Sequence, residues 1–276
     1  MKKKSLSAQK IIPNLKNKSL NLIFKNFEKK LDKNQIYCVA ISGGPDSLAL
    51  AYLTKRFSDK YKNKFYYYIV DHKLRPESSK EAVQVVNLLK KIKIKCKILK
   101  WIGKKPKSNI QSLARFQRYS LLLKECKKNK INNIVLGHHK DDRDENFFIR
   151  LTRGSGLKGL VSFSEKSQNF NVNFLRPLIY FEKEQLVYIS KKVFKGYIND
   201  PSNKDEKFKR IRIRNLINEL KKEGFDKDKL NLTLNNLKDS NEALEFYSNK
   251  NIFDNSSFNF KKNLIILNKS FFEQPK

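Results

Sequence analysis

Between residues 36 and 150 the chain alternates short apolar runs with longer segments, and this rhythm restricts the fold more than any other feature. The runs IYCVAI (36–41), KFYYYIV (64–70), IKCKIL (94–99) and NIVLGH (133–138) have the length and the β-branched or aromatic content of strands. Between them the chain reads as helix: from the glycine turn after the first run to about Arg56, ESSKEAVQVVNLLKK (77–91) and IQSLARFQRYSLLLKECKK (110–128). A further helix starts near Asp141 and reaches at least Arg150. Strands separated by helices of this length pair in parallel through right-handed crossovers. The expected class is therefore α/β, a parallel sheet with helices on both faces. Leu15, Leu20, Ile23, Phe24, Phe27 and Leu31 add an amphipathic helix within 14–31.

After Arg153 the rhythm changes. RGSGLKGL (153–160) reads as a loop, VSF and FNVNFLRPL as a short hairpin, and EKEQLVYISKKVF (182–194) as another helix. From about Arg214 the chain is polar and helical, and it ends in the strand-like run NLIILN (263–268). The expected division is a main domain over 1–215 and a small, mainly helical domain over 216–276. No internal repeat stands out.

Charge narrows the partners. The chain carries 60 Lys+Arg against 27 Asp+Glu, a formal net charge of +33. Free use of Lys and Asn accounts for part of the surplus, but a field this positive favours a polyanion, nucleic acid first. Cys38, Cys96 and Cys126 are widely spaced with no C-x-x-C pair, so neither a zinc nor an iron–sulfur site is suggested. The basic start MKKKSLSAQKII lacks the apolar core of a secretory signal, and no window is apolar enough to span a membrane. Reduced thiols in the cytoplasm are expected, with no membrane partner.

The first strand runs into SGGPDS (42–47) and then a helix. Gly43 and Gly44 let the backbone turn sharply and bring N–H groups close to an anion. Pro45 suits the first helical turn, whose unpaired N–H groups and positive dipole end add to the attraction. Ser42 and Ser47 can donate hydroxyl hydrogen bonds. Asp46 cannot donate to phosphate when ionised, and its useful role is to hold Mg²⁺ bridging phosphate oxygens. The Gly-Lys-Ser/Thr ending of a Walker A loop is missing.

The hexapeptide resembles the PP-loop of N-type ATP pyrophosphatases. Four further stretches, VDHKLRPESSKEA, NIQSLARFQRYSLL, LGHHKDDRDENFFIRLTRGSGLKGL and DPSNKDEKFKRIRIR, follow in order. With the loop they are similar to tRNA(Ile)-lysidine synthetases over 36–215. The resemblance implies that ATP is cut between its α- and β-phosphates. The C2 oxygen of the wobble cytidine in a CAU-anticodon tRNA(Ile) is adenylated, and free lysine then displaces AMP. The absent Walker lysine fits, because no γ-phosphate is transferred. A PP-loop tRNA thiolase is the alternative, and isolated cysteines argue against it. A homodimer is compatible with the sequence.

Site residues follow the same way. His138 and His139 end the fourth strand, where ligands bind in open α/β sheets. Asp142 and Glu145, spaced i,i+3, share a helix face. The resemblance puts His138, Asp142 and Glu145 in the active site, holding the lysine ammonium or taking its proton, while the residues alone also allow a metal site or a surface helix. Arg115 and Arg118 lie on one face with Gln111 in the Asn109–Tyr119 wording, and Arg115 is assigned to the α-phosphate or the adenylated base. Asp71, His72 and Arg75 follow the second strand, with His72 near ATP. Arg153 and the glycines after it suit phosphate or tRNA backbone. Arg176, Asp200, Asn203, Arg210, Arg212 and Arg214 also match the family wording, and Arg210 and Arg212 are expected at the lysine site or the anticodon stem. Arg143, Asn146 and Lys73 depart from the family, which usually has Gln, Thr and often Gly there.

Overall fold

The computed structural model describes residues 18–103, 110–199 and 206–273. The chain forms two compact units. One comprises the residues up to Arg143 together with Ser164–Ile211, the other Asp144–Phe163 together with Arg212–Lys276.

The first unit is built on a six-stranded sheet of β1 (Ile36–Ile41), β2 (Lys64–Asp71), β3 (Cys96–Lys100), β4 (Asn133–Val135), β5 (Lys166–Asn169) and β6 (Val172–Leu175), in the order β3-β2-β1-β4-β6-β5. Every pairing is parallel except β5 with β6. The helices are α1 (Lys18–Glu28), α2 (Pro45–Tyr61), α3 (Ser78–Lys91), α4 (Ile110–Lys128) and α7 (Lys183–Phe194). Alternate side chains of a strand point to opposite faces, and β1 shows it. Tyr37, Val39 and Ile41 join one buried cluster with Phe24 and Phe27 of α1, Leu48 and Phe57 of α2, Val85 and Leu89 of α3, and Ile189 of α7. Cys38 faces the other way, into a cluster with Tyr68, Ile134 and the α4 residues Leu122 and Cys126. The helices therefore cover both faces, as expected.

The strand order also fixes where a ligand would go. From β1 the chain winds outward through α2 and α3 to the edge strand β3. Then α4 carries it back across the opposite face to β4, on the other side of β1. The direction of winding reverses between β1 and β4, which opens a crevice at their carboxyl ends.

Several boundaries differ from expectation for local reasons. β4 stops at Val135, although Leu136 N–H still bonds Leu175 O at 2.9 Å, because the chain turns away at Gly137. The hairpin is β5–β6, not VSF with the later run, and its two turn residues Phe170 and Asn171 have φ of +51° and +56°. Such turns normally advertise themselves with glycine, and Phe170 conceals this one.

The second unit holds α6 (Leu157–Leu160), α9 (Lys227–Asn255), the later parts of α5 (Lys140–Leu151) and α8 (Lys209–Lys222), and a hairpin of β7 (Ser256–Asn259) and β8 (Leu264–Leu267). Its core is small: Phe147, Leu230 and Leu234, with Phe148, Leu160, Phe225 and Leu237 against them. Leu160 explains why the expected loop over 153–160 ends in a helical turn, since one turn carries it into this cluster.

Candidate active site

The SGGPDS loop sits at the carboxyl end of β1, in the crevice. Gly43 has φ +89°, and a Cβ there would lie 2.5 Å from Val85 Cγ2. Its carbonyl accepts the Ile198 N–H at 3.0 Å, which pins the loop on its outer side. Ser47 acts as an internal strut. Its hydroxyl accepts from the N–H groups of Ser42 (3.1 Å) and Gly43 (3.0 Å) and donates to Gly44 O (3.0 Å). The Ser47 hydroxyl thus shapes the loop from within. Gly44 caps α2, Pro45 opens it, and the first-turn N–H groups face the crevice without intrahelical partners.

Gly137 brings the end of β4 against this helix start. A Cβ at Gly137 would lie 3.3 Å from the backbone of Asp46 and Ser47. His139 follows, buried. Its backbone N–H donates to Asp142 Oδ2 at 2.9 Å, and its Nδ1 accepts the Asp141 N–H at 3.3 Å. Its Nε2 stands 3.8 Å from Asp46 Oδ2 and 3.7 Å from Asp142 Oδ2. Because Nδ1 accepts, the neutral ring carries its proton on Nε2, between the two carboxylates. His139, to which the sequence reading gave no role of its own, therefore joins the loop to the acidic cluster.

His138 is different in kind. Burial pushes its pKa down to about 3, with Asp142 pulling the other way and Arg176, Arg210 and Arg115 adding to the fall. It is a neutral imidazole at pH 7 and a weak base. His72 behaves likewise: burial and then Arg118 take it down to about 4, and its ring lies edge-on to Trp101 at 6.2 Å. Its neighbour Asp71 is structural, accepting from Ser79 Oγ (2.6 Å), Ser78 Oγ (2.8 Å) and Lys73 N–H (2.9 Å).

Asp142 accepts from Arg210 Nη2 at 2.5 Å. Burial works against its charge, but the Arg210 guanidinium, helped by the His139 backbone N–H, holds its carboxyl below the usual range, so it is ionised. The structure thus brings together Asp46, His139, Asp142 and Arg210 within the first unit. Glu145, fully buried, pairs with Arg214 in the second unit, at 2.8 Å from Nε and 2.7 Å from Nη2. Arg212 and Arg153 are exposed in that unit. Arg115 and Arg118 are exposed on α4, Arg115 5.1 Å over the Tyr119 ring. Arg176 is buried and donates to Ser164 O (2.9 Å) and Ser167 Oγ (3.0 Å). Arg143, one of the departures, lays its guanidinium 5.5 Å over Tyr180. Asn109, Asp200 and Asn203 lie outside the described residues, as does the side chain of Gln111.

One residue was missed. Lys183 Nζ lies 2.8 and 2.7 Å from the two carboxylate oxygens of Asp46. Glu182 and Gln185 form a capping box that starts α7, Lys140 bonds Glu182 at 2.7 Å, and Ser190 Oγ donates to Pro45 O at 2.6 Å. These bonds fix the start of α7 beside those of α2 and α5. The signal was available: a lysine in the first turn opposes the helix dipole and needs a counter-ion.

Among the described residues no group of three or more His, Cys, Asp or Glu could hold a metal ion. A lone carboxylate at an anion loop fits Mg²⁺ in the way that ion is usually held, by one or two carboxylates and substrate phosphates together. Asp46 meets that description. No helix among the described residues is long and apolar enough to cross a membrane.

A family model described as a PP-loop domain matches residues 15–220. The chain belongs to the PP-loop family. Curated relatives include the tRNA(Ile)-lysidine synthase of Orientia tsutsugamushi (strain Boryong), 42% identical over 187 residues, covering 67% of this chain and 42% of that protein. That of Wolbachia pipientis wMel is 37% identical over 233 residues, covering 83% and 54%. The PP-loop chain spans about half the length of the curated relatives it matches. Among solved structures, the U34-tRNA thiolase NcsA from Methanococcus maripaludis with its [4Fe-4S] cluster aligns with a TM-score of 0.64 at 17% identity, covering 74% of this chain and 73% of that one. That likeness concerns the PP-loop fold alone.

Proposed function

We propose that this PP-loop protein joins free lysine to C2 of the wobble cytidine of a CAU-anticodon tRNA(Ile), with ATP converted to AMP and pyrophosphate. One observation carries the reading: the anion loop and the ionised, arginine-paired Asp142 meet through His139 at the sheet's switch point, in a chain up to 42% identical to tRNA(Ile)-lysidine synthases. The loop and the start of α2 bind the β- and γ-phosphates. The C2 oxygen attacks the α-phosphorus, the α–β bond breaks, and pyrophosphate leaves. The lysine ε-nitrogen then attacks C2, and AMP departs with the former C2 oxygen. Asp46, together with the phosphates, would hold Mg²⁺, which when bound would neutralise phosphate charge.

The amine must be neutral to attack. Asp142 is ionised and can hold the incoming ammonium and take its proton, while His138, pushed down to about 3 by burial, is neutral beside it. Arg115 steadies the α-phosphate, His72 lines the nucleotide site, and Arg118, Arg153, Arg210 and Arg212 contribute to the lysine and tRNA contacts. The unit containing α9 binds tRNA backbone, and the enzyme works in the cytoplasm.

A thiolase reading is weaker. Cys38 and Cys126 are buried in the core, and burial pushes the Cys96 thiol up to about 12. None combines exposure with a lowered pKa, since Cys126, which its hydrogen bond with Cys38 pulls down, is fully buried. The test is incubation with ATP, Mg²⁺, labelled lysine and a CAU-anticodon tRNA(Ile) transcript. Label is expected in the tRNA. Its absence, where an authentic lysidine synthase succeeds, refutes the proposal.

A further inference from the structure

The ion pair between Lys183 and Asp46 poses a problem for the loop. Asp46 is the only loop residue suited to a metal, yet a lysine ammonium spans both of its oxygens. The pair is not sealed in the core: the side chains are 35% and 23% exposed. It also lies at the mouth of the loop, since Asp46 stands in the first turn of α2, where a bound phosphate would meet the helix.

A competition follows from charge. A single carboxylate carries one negative charge, and pyrophosphate carries several on oxygens that accept strong charge-assisted hydrogen bonds. An ammonium on a flexible four-carbon stem can turn from one to the other while α7 stays fixed by its capping box and by Ser190 on Pro45. We propose that Lys183 is a mobile counter-ion, paired with Asp46 before nucleotide binds and transferred to the pyrophosphate group of ATP as it binds and leaves. Asp46 is thereby released for the metal at the moment the phosphates arrive. This rests on the reading of the loop as an ATP site. It gives the chain, from α7, a lysine that its loop lacks.

The test uses the full chain and inorganic pyrophosphate as probe, titrated by calorimetry in metal-free buffer with EDTA. K183M is expected to weaken binding about 10- to 100-fold, the value of one charge-assisted phosphate contact, with K183R within about fivefold of the parent. Freeing the ammonium should have the opposite effect. D46N is expected to tighten binding about tenfold when Lys183 is present and less than about threefold in the K183M background, so the two changes are coupled. A purely structural role would not produce that tightening, and thermal melts of each variant check the fold. The proposal is overturned if folded K183M binds pyrophosphate within twofold of the parent. It is equally overturned if D46N tightens binding by the same factor in both backgrounds. If the parent binds neither ATP nor pyrophosphate, the ATP reading fails and this proposal with it. If the parent binds both and only the K183M result is null, the ATP reading stands and Lys183 alone loses its role.

Discussion

Replacing Gly43 by alanine separates two costs that the loop geometry superimposes. The residue has φ +89°, where an L-residue pays about 1–2 kcal/mol in steric strain. The added methyl would stand 2.5 Å from Val85 Cγ2, well inside the 3.4–4 Å of ordinary contact, and overpacking of this kind costs about 1–3 kcal/mol. Gly43→Ala should therefore destabilise the first unit by about 2–5 kcal/mol. Val85→Ala removes the colliding methyls but opens a small void beneath α3, at about 1–3 kcal/mol on its own. Only the second cost of the glycine change depends on Val85. The double variant should be more stable than the sum of the single changes by about 1–3 kcal/mol. Urea unfolding of the parent, both single variants and the double gives all four corners of the cycle, and ATP binding shows whether a rescued fold also restores the loop. Strict additivity would refute the close approach between the loop and α3. An unchanged midpoint for Gly43→Ala would refute the strained backbone as well.

Three shorter predictions follow from the same geometry. Ser47→Ala removes the strut that holds the Ser42 and Gly43 N–H groups, so the KM for ATP should rise about tenfold with the KM for lysine little changed, and steady-state kinetics check this. Asp142→Asn breaks the pair with Arg210 and should raise the lysine requirement at least tenfold more than the ATP requirement, and equal effects on both would contradict a lysine site there. His138 has a folded pKa near 3 against an ordinary value of 6.5, so between those values the unfolded chain binds the extra proton. Stability should then fall as pH drops through that window, by up to about 1.4 kcal/mol per pH unit, and His138→Gln should flatten the slope in urea titrations at pH 5 and 7.

The parallel core was legible because its signals are local. A strand run of six residues, a glycine turn and a helix opened by proline each declare themselves without reference to the rest of the chain, and β1 and α4 have the expected bounds. The loop residues and the acidic positions on α5 could be read for the same reason. Which histidine joins them could not. His138 and His139 are adjacent and chemically identical, and only the fold decides that one is stripped of its basicity while the other bridges two carboxylates. Lys183 lies 137 residues from Asp46, a separation across which no spacing rule operates. Membership of the second unit was equally hidden, since Asp144–Phe163 joins the C-terminal helices through Phe147 and Leu160, whose partners are about 70 residues or more away.

The sheet's two margins bear on how such a chain survives its own folding. Its parallel strands are paired through crossovers, a long-range arrangement that forms slowly and leaves strand edges open meanwhile. Open edges recruit other chains. Here the outermost strands are CKILK, with lysines at Lys97 and Lys100, and the polar KSQN, which begins with Lys166. Two nascent copies meeting edge to edge would bring like charges together in a chain already at +33. The same surplus of lysine that draws a polyanion thus also keeps half-folded molecules apart, and relieving it at the margins would favour aggregation before it altered any chemistry.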